Sequence, residues 1–509
     1  MQILLIASAC FLFLSLSTVS PVTAISQQRR GRGRRYDEQS SSCRRLRRLS
    51  AHEPSESETI RSDGGTFELS TGEDNEELEC AGVAFFRKTI ESNAILLPRY
   101  PSADLLLYVV RGEGRLGIVF PGCPETFRDH SSFQGRSRRR SEGRREEEEE
   151  EEEDSSQKVR RVRRGDVIAI FAGAAYWSYN DGNEPLQIVG IADTSSRRNL
   201  GRSRSYRPFS LAGPGSSSRR EEGEGEGRGI GSNIFAGFST RTLAETLGVE
   251  IETARKLQEN QQSRLFARVE RGQRLSLPGP RSRSRSPYER ETERDDVAGG
   301  LQGYYSSGDE NGVEELVCPL RVKHNADNPE DADVYVRDGG RLNRVNRFKL
   351  PVLKYLRLGA ERVVLHPRAS CVPSWRMNAH GIMYVTRGEG RIEVVGDEGR
   401  SVFDGRVREG QFIVIPQFYA VIKQAGDEGF EWITFTTSDI SFQSFLAGRQ
   451  SVLKAMPEEV LSAAYRMDRT EVRQIMRNRE RDTLILPPSS LGRDQEQQHN
   501  ITSLLHQVE

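Results

Sequence analysis

Tyr108-Val109-Val110-Arg111-Gly112-Glu113-Gly114-Arg115 returns in the second half of the chain as Tyr384-Val385-Thr386-Arg387-Gly388-Glu389-Gly390-Arg391. Each copy has apolar residues on both sides, Leu105-Leu106-Leu107 before the first and Ile382-Met383 before the second. β-Branched and aromatic runs broken by glycine read as strands, and each copy is expected to be a hairpin closed at its glycines. Gly112-Glu113-Gly114-Arg115-Leu116-Gly117 also spells GxGxxG, but a dinucleotide loop needs a helix after the glycines, and Glu393 replaces the last glycine in the second copy. A turn between strands is therefore the reading.

A second pair of segments supports the first. Arg164-Gly165-Asp166-Val167-Ile168-Ala169-Ile170-Phe171 is echoed by Glu409-Gly410-Gln411-Phe412-Ile413-Val414-Ile415-Pro416, a glycine turn leading into a β-branched run. Each β block then passes into a helical one. Thr242-Leu243-Ala244-Glu245 fits a capping box, with Leu243, Leu247, Ile251, Ala254 and Leu257 forming an apolar stripe. In the second half Pro457 starts a helix containing Val460, Leu461 and Ala464, and Asp468 caps another containing Val472, Ile475 and Met476. The chain reads as a tandem duplication.

Three segments cannot form a core. Residues 135–154 carry an arginine cluster and then eight consecutive glutamates at 146–153; residues 195–231 are rich in Ser, Arg, Gly and Glu; residues 278–311 include the Arg-Ser alternation at 281–286. Too little apolar surface is present in them to offset the ordering entropy, so they are expected to be solvated, disordered insertions. Their arginines suit phosphate backbones, but no aromatic residues interleave with them and acidic runs lie nearby, so a self-neutralising spacer is favoured over polyanion binding.

The whole chain has 509 residues with 74 Lys+Arg against 74 Asp+Glu, which removes a net-charge argument for a nucleic-acid partner. Its mean hydropathy is −0.63. Only eight of the cations are lysines; 66 are arginines. An apolar run over residues 3–16 followed by Val22-Thr23-Ala24 reads as a secretory signal, cut near Ala24, and no later stretch reaches the roughly 18 apolar residues of a membrane span. Beyond the signal stand Cys43, Cys80, Cys123, Cys318 and Cys371. None is spaced as a CxxC clip, so the expectation is disulfides with one thiol over, in a pairing that the sequence leaves open.

Glycine-led strands of this kind resemble the cupin barrel, whose metal-binding members use two His and a Glu on one strand segment and a further His after the second glycine turn. Here those positions fall on Pro98, Tyr100, Leu105 and Tyr176 in the first half, and on Ser374, Arg376, Gly381 and Val421 in the second. None can replace an imidazole or carboxylate around a transition metal. His380 and His366 are isolated and make no site. No GxSxG, HExxH or Walker loop is present, and seven histidines supply few general bases. No catalytic residue, metal or cofactor is assigned; a metal-dependent cupin oxidoreductase and a secreted polyanion-binding protein are the alternative functions.

Asn311-Gly312-Val313-Glu314-Glu315-Leu316-Val317-Cys318 resembles the processing junction of legumin-type 11S globulins, seed storage proteins cut between Asn and Gly by an asparaginyl endopeptidase. Cys80-Ala81-Gly82-Val83, Pro121-Gly122-Cys123-Pro124-Glu125-Thr126-Phe127, Asn233-Ile234-Phe235-Ala236-Gly237-Phe238 and Asn378-Ala379-His380 resemble that family's blocks in that family's order. The resemblance implies a mainly β fold of two tandem cupin jelly-roll barrels, each followed by a small helical extension. It implies a Cys43–Cys80 bridge, a Cys123–Cys318 bridge spanning the cut between Asn311 and Gly312, and Cys371 as the free thiol. It implies self-association as trimers that pair into hexamers after cutting, deposition in the protein storage vacuole, and a nitrogen and amino-acid reserve to which each arginine contributes four nitrogens.

The expected organisation is a signal at 1–24, a first barrel and extension at 25–277 with insertions near 135–160 and 195–231, a spacer at 278–311, a second barrel and extension at 312–485, and a tail at 486–509. Two features depart from the family. The part after Asn311 is close to charge balance where legumins have a basic chain, and the end from 492 on, with the sequon Asn500-Ile501-Thr502, is atypical.

Overall fold

The computed structural model describes residues 46–54, 58–120, 159–195, 208–213, 233–259, 265–269 and 320–488, together with Cys43, Tyr206, Leu275 and Leu277. It is mainly β and contains two jelly-roll barrels, as the repeat and the cupin resemblance lead one to expect. In the first barrel, one antiparallel sheet runs Glu58–Ser62, Gly65–Ser70, Val83–Ile90, Leu186–Asp193, Leu105–Arg111, Asp166–Ile170 and Lys323–Asn325. The facing sheet runs Phe209–Ser210, Ala94–Tyr100, Ala175–Asn180, Glu113–Val119 and Arg160–Arg163, with Phe266–Arg268 also paired to Ala94–Tyr100. The second barrel is built from Val334–Val336, Gly340–Val345, Gly359–Leu365, Ala420–Thr436, Ser370–Arg376 and Gln443–Phe445, with Gly381–Val395 pairing Ser401–Arg408, Phe412–Ile415 and Ala420–Thr436.

The duplicated glycine segment is not a hairpin. Leu105–Arg111 and Glu113–Val119 lie in different sheets, pairing with separate neighbours, and in the second copy the same stretch is one continuous strand, Gly381–Val395. Gly112, at φ +79°, is the corner where the chain leaves one sheet for the other, and Gly388, at φ +72°, is the matching bend, a register shift within the continuous strand. A Cβ on Gly112 would meet the Pro185 carbonyl oxygen at 2.6 Å. A hairpin and a corner both need glycine, so the local sequence does not separate them; the choice is made by the strands on either side.

Alternation along these strands explains why their sequences are apolar throughout rather than at every second residue. Leu105, Leu107 and Val109 face the interior of the first barrel, while Leu106 and Tyr108 face the second barrel. Met383 and Val385 face the second interior, and Ile382 and Tyr384 face the first barrel. A strand buried on both faces carries a continuous apolar run. Among the described residues there are therefore three main cores, one inside each barrel and one between them.

The middle core is flanked by two matching polar groups. Arg87 donates to Glu68 and lies beside Tyr384, while Arg362 donates to Asp327 and Glu431 and lies beside Tyr108. Burial drives the Tyr108 hydroxyl up to about 12. Each half also reaches across: Lys323–Asn325 completes a sheet of the first barrel, and His52 bridges to Phe412 of the second.

Two further expectations need correction. Part of the expected insertion at 195–231 is packed: Tyr206 is 2% exposed and stacks on Phe86, and Phe209–Ser210 forms an edge strand. The apolar residues Tyr206, Phe209, Leu211 and Ala212 are diluted by the serines and arginines around them, which hid them from a compositional reading. The first helix after the barrel starts earlier than Thr242. It spans Thr240–Leu247 with Ser239 as N-cap, whose hydroxyl accepts from the Thr242 N–H, and Glu245 pairs with Arg241 at 3.0 Å instead of reaching back. Asp468 caps Arg469–Arg477 in a full capping box with Glu471. The signal at 1–24, the cluster at 135–154, the spacer at 278–311 and the tail from 489 lie outside the described residues.

Candidate functional site

In a jelly roll the chemistry sits inside the barrel, so the inward-facing residues decide what either half can do. In the first barrel, Arg99 of Ala94–Tyr100 faces inward, because an irregularity in register between Leu96 and Arg99 shifts the alternation by one. Arg99 pairs with Tyr176 on one side and Ser210 on the other. From the opposite sheet Lys88 projects inward and donates to the Tyr176 hydroxyl at 2.9 Å. Its ammonium lies 4.6 Å from the ring centre of Phe86, 5.0 Å from Tyr176 and 5.7 Å from Phe67. Such cation–π contacts are strongest when desolvated.

Both cations are deeply buried. Desolvation lowers the Lys88 and Arg99 values from their ordinary ones. Burial raises Tyr206 well above the phenol range; at Tyr176 it acts in the same direction but is outweighed by Lys88 and Arg99, and the net shift is downward.

The second barrel encloses a different set. Arg376 donates to Glu361 at 2.5 Å, and the Gln443 amide reaches both carboxylate oxygens at 3.1 Å. Burial alone would raise the Glu361 carboxyl; Arg376, then Arg344 and Lys423, hold it below the ordinary value. Burial lowers Lys423 to about 8 and raises the Cys371 thiol beside it to about 11. A Cβ at Gly381 would meet the Arg376 guanidinium at 2.6 Å, so the glycine there makes room for the cation.

The sequence-derived ligand positions land close to these clusters without forming a metal site. Tyr176 and Leu105 face the first interior, and Arg376 and Val421 the second, whereas Pro98 and Tyr100 flank the inward Arg99. Guanidinium, ammonium and phenol groups repel or ignore a divalent cation, so these residues do not fit one. Lys88, Arg99, Glu361 and Lys423 were not reached by motif counting. One signal was available: Lys88 is one of only eight lysines and sits in the apolar strand Val83–Ile90.

The Cys43–Cys80 bridge implied by the resemblance is present, closing a separation of 37 residues, and Cys371 is a free thiol. The Cys43 and Cys80 sulfurs and His380 lie within 4.8 Å of one another, the one such group among the described residues. Oxidised sulfurs offer no thiolate to a metal. His380 Nδ1 accepts from the Gln417 N–H at 3.2 Å, and burial lowers this imidazole to about 4, keeping it neutral. Cys123, Cys318, Asn311 and Gly312 lie outside the described residues.

The family model described as Cupin matches residues 49–211 and 324–473, one match over each barrel. An 11S globulin of Juglans nigra is 40% identical over 515 residues, covering 96% of this chain and 98% of that protein. The crystal structure of the coconut allergen cocosin superposes with a TM-score of 0.70 at 37% identity, covering 88% of this chain and 100% of that one. Procruciferin, an 11S globulin from Brassica napus, gives 0.71 at 34% identity over 88% and 99% of the two chains. A Cupin match over each barrel and a likeness to these relatives along nearly the whole length of both chains place the sequence: the chain belongs to the 11S globulins, the legumin-type seed storage proteins of the cupin superfamily.

Proposed function

We propose that this storage globulin is a nitrogen and amino-acid reserve cut after Asn311 into two chains that a Cys123–Cys318 bridge keeps together, and that it assembles through its helical extensions into trimers and then hexamers within the protein storage vacuole. The observation that carries the assembly is the exposed apolar stripe on both extensions. Leu243, Ala244 and Ala254 form a small core apart from the barrels, leaving Leu247, Ile251 and Leu257 exposed on Thr240–Leu247 and Ile251–Gln258. In the second half Val460, Tyr465 and Ile475 are exposed beside the buried Leu461 and Val472. Satellite helices with so small a core need a partner surface, and a second copy offers a matching one.

The reserve role rests on composition: 66 arginines carry much of the nitrogen, and balanced charge favours dense, salt-sensitive deposition. An asparaginyl endopeptidase is the processing partner; neither nucleic acid nor membrane is one after signal removal. Gel analysis of seed protein tests the cut, with two bands expected only under reductant and a single unsplit band counting against it. Sedimentation tests the assembly. Ile251→Asp with Val460→Asp is expected to give monomers, and an unchanged trimer would rule out the helical faces.

A further inference from the structure

We propose that the cleft where residues 46–54 run along the second barrel before entering the first binds a guanidinium group, free or carried on an arginine side chain. Its volume is about 290 Å³. Leu46, His52 and Phe412 form one side, and Ser70 with the turn leading into the helix Glu76–Ala81 forms the other. Two buried oxygens of lining residues have no hydrogen-bond partner, Glu77 Oε2 and Ser70 Oγ, on residues 5% and 2% exposed. The other Glu77 oxygen is already engaged. It accepts from the Ser50 N–H at 2.7 Å and lies 3.2 Å from Nε2 of His52, whose ring rests on Phe412.

The rest of the lining has the same sign. Asp74 and Glu76 are exposed and line the cleft, and Glu76 has no hydrogen bond or ion pair among the described residues. Arg48 is the one arginine or lysine among the lining residues, against the carboxylates of Glu53, Asp74, Glu76 and Glu77, of which Glu53 is engaged by Arg408. A buried carboxylate oxygen and a buried hydroxyl without partners are costly, and a donor that reaches both removes the cost.

The spread of these groups selects the donor. Among the described residues no three carboxylate or imidazole atoms of this cleft lie close enough together to hold a metal ion. A compact cation therefore reaches too few of the oxygens at once, whereas a planar guanidinium offers five N–H groups in a fixed fork and pairs with carboxylates edge-on. Its charge also answers the excess of carboxylates around it.

The test is titration calorimetry on the full chain with L-arginine, with L-citrulline, L-lysine and magnesium chloride as arms at matched ionic strength. L-Arginine is expected to saturate at one site per chain. L-Citrulline, which has a neutral urea in place of the guanidinium, and L-lysine are each expected to bind at least about tenfold more weakly. A capped Gly-Arg-Gly peptide separates the two sources: tighter binding than L-arginine assigns the cleft to a side chain, weaker binding to the free amino acid.

Glu77→Gln keeps the acceptor for Ser50 and removes the spare one, and is expected to abolish the saturable heat. Ser70→Ala removes a hydroxyl that bonds nothing in the chain; it is expected to keep its thermal midpoint and to weaken binding about tenfold. The acidic run at 146–153 is intact in both variants, so heat that survives in both comes from elsewhere on the surface and overturns the proposal. Equal binding of L-citrulline would do the same, as would magnesium binding that both variants lose while L-arginine gives no saturable heat.

Discussion

The two barrels descend from one pattern yet neutralise their interiors in different ways. In the second, Glu361 lies between Arg376 and Gln443 with Lys423 nearby, so the buried charges are paired within the chain. In the first, the strand position facing inward carries Lys88 and the neighbouring sheet carries Arg99, with phenol hydroxyls and aromatic rings for company. Duplicated frameworks keep their corners and their shared core while the enclosed side chains drift, because the corners are fixed by backbone geometry and the enclosed groups need only fill space and balance charge.

The sharpest way to break that contrast is to remove one partner in each barrel. Glu361→Gln strands Arg376 and Lys423 and is expected to cost about 3–5 kcal/mol, read as a lowered unfolding midpoint. Lys88→Met, which removes a buried amine with no carboxylate partner, is expected to stay within about 1 kcal/mol of wild type or to stabilise it. Comparable losses from the two variants would abolish the distinction.

Next come the corners, which the barrels are expected to share. Gly112→Ala and Gly388→Ala place a side chain at positive φ against a neighbouring backbone and are each expected to cost about 2–3 kcal/mol by thermal unfolding. A strong effect in one copy and none in the other would show that only one corner is under constraint.

The pH profile divides along the same line. Glu361, held low in the folded state, contributes stability that is present above its unfolded value of about 4.3 and is lost as pH falls through the lower folded one. Lys88 has the reverse exposure to pH. Its folded value is depressed, so stability rises with pH from that value up to the unfolded value of about 10.4, and Lys423, at about 8, adds to the same limb. Calorimetry across pH is expected to show Glu361→Gln flattening the acid limb and Lys88→Met reducing the slope of the alkaline one. Superimposable profiles would contradict the assignment.

The smallest effect concerns the extensions. Asp468→Ala removes a reciprocal cap and is expected to cost about 1 kcal/mol, against about 0.5 kcal/mol for Ser239→Ala, which holds a single N–H. Helicity measured by circular dichroism should follow that order, and the opposite order would mean that packing, not capping, holds these ends.

The repeat, the strand-rich character and the storage family were legible because each leaves a local mark: glycines at fixed offsets, β-branched runs, an Asn-Gly junction before a cysteine. The route of the chain through Gly112 was not legible, since leaving a sheet and doubling back ask the same of that residue. Arg99 was missed because counting by two fails across an irregular register, and Glu361 because a single acid in Gly359–Leu365 has no motif around it. Tyr206 was hidden by the serines and arginines of its neighbourhood. Contacts between residues far apart in sequence leave no periodic trace for a reader of the sequence to find.

One arrangement bears on how such a reserve is eventually consumed. Because Lys323–Asn325 closes a sheet of the first barrel, His52 bridges to the second, and the middle core draws on both, neither half can open without exposing the other. A protease acting on this protein meets an all-or-nothing substrate: loops can be trimmed without loss, but digestion of the shells waits for a single cooperative opening, after which every peptide bond becomes available together.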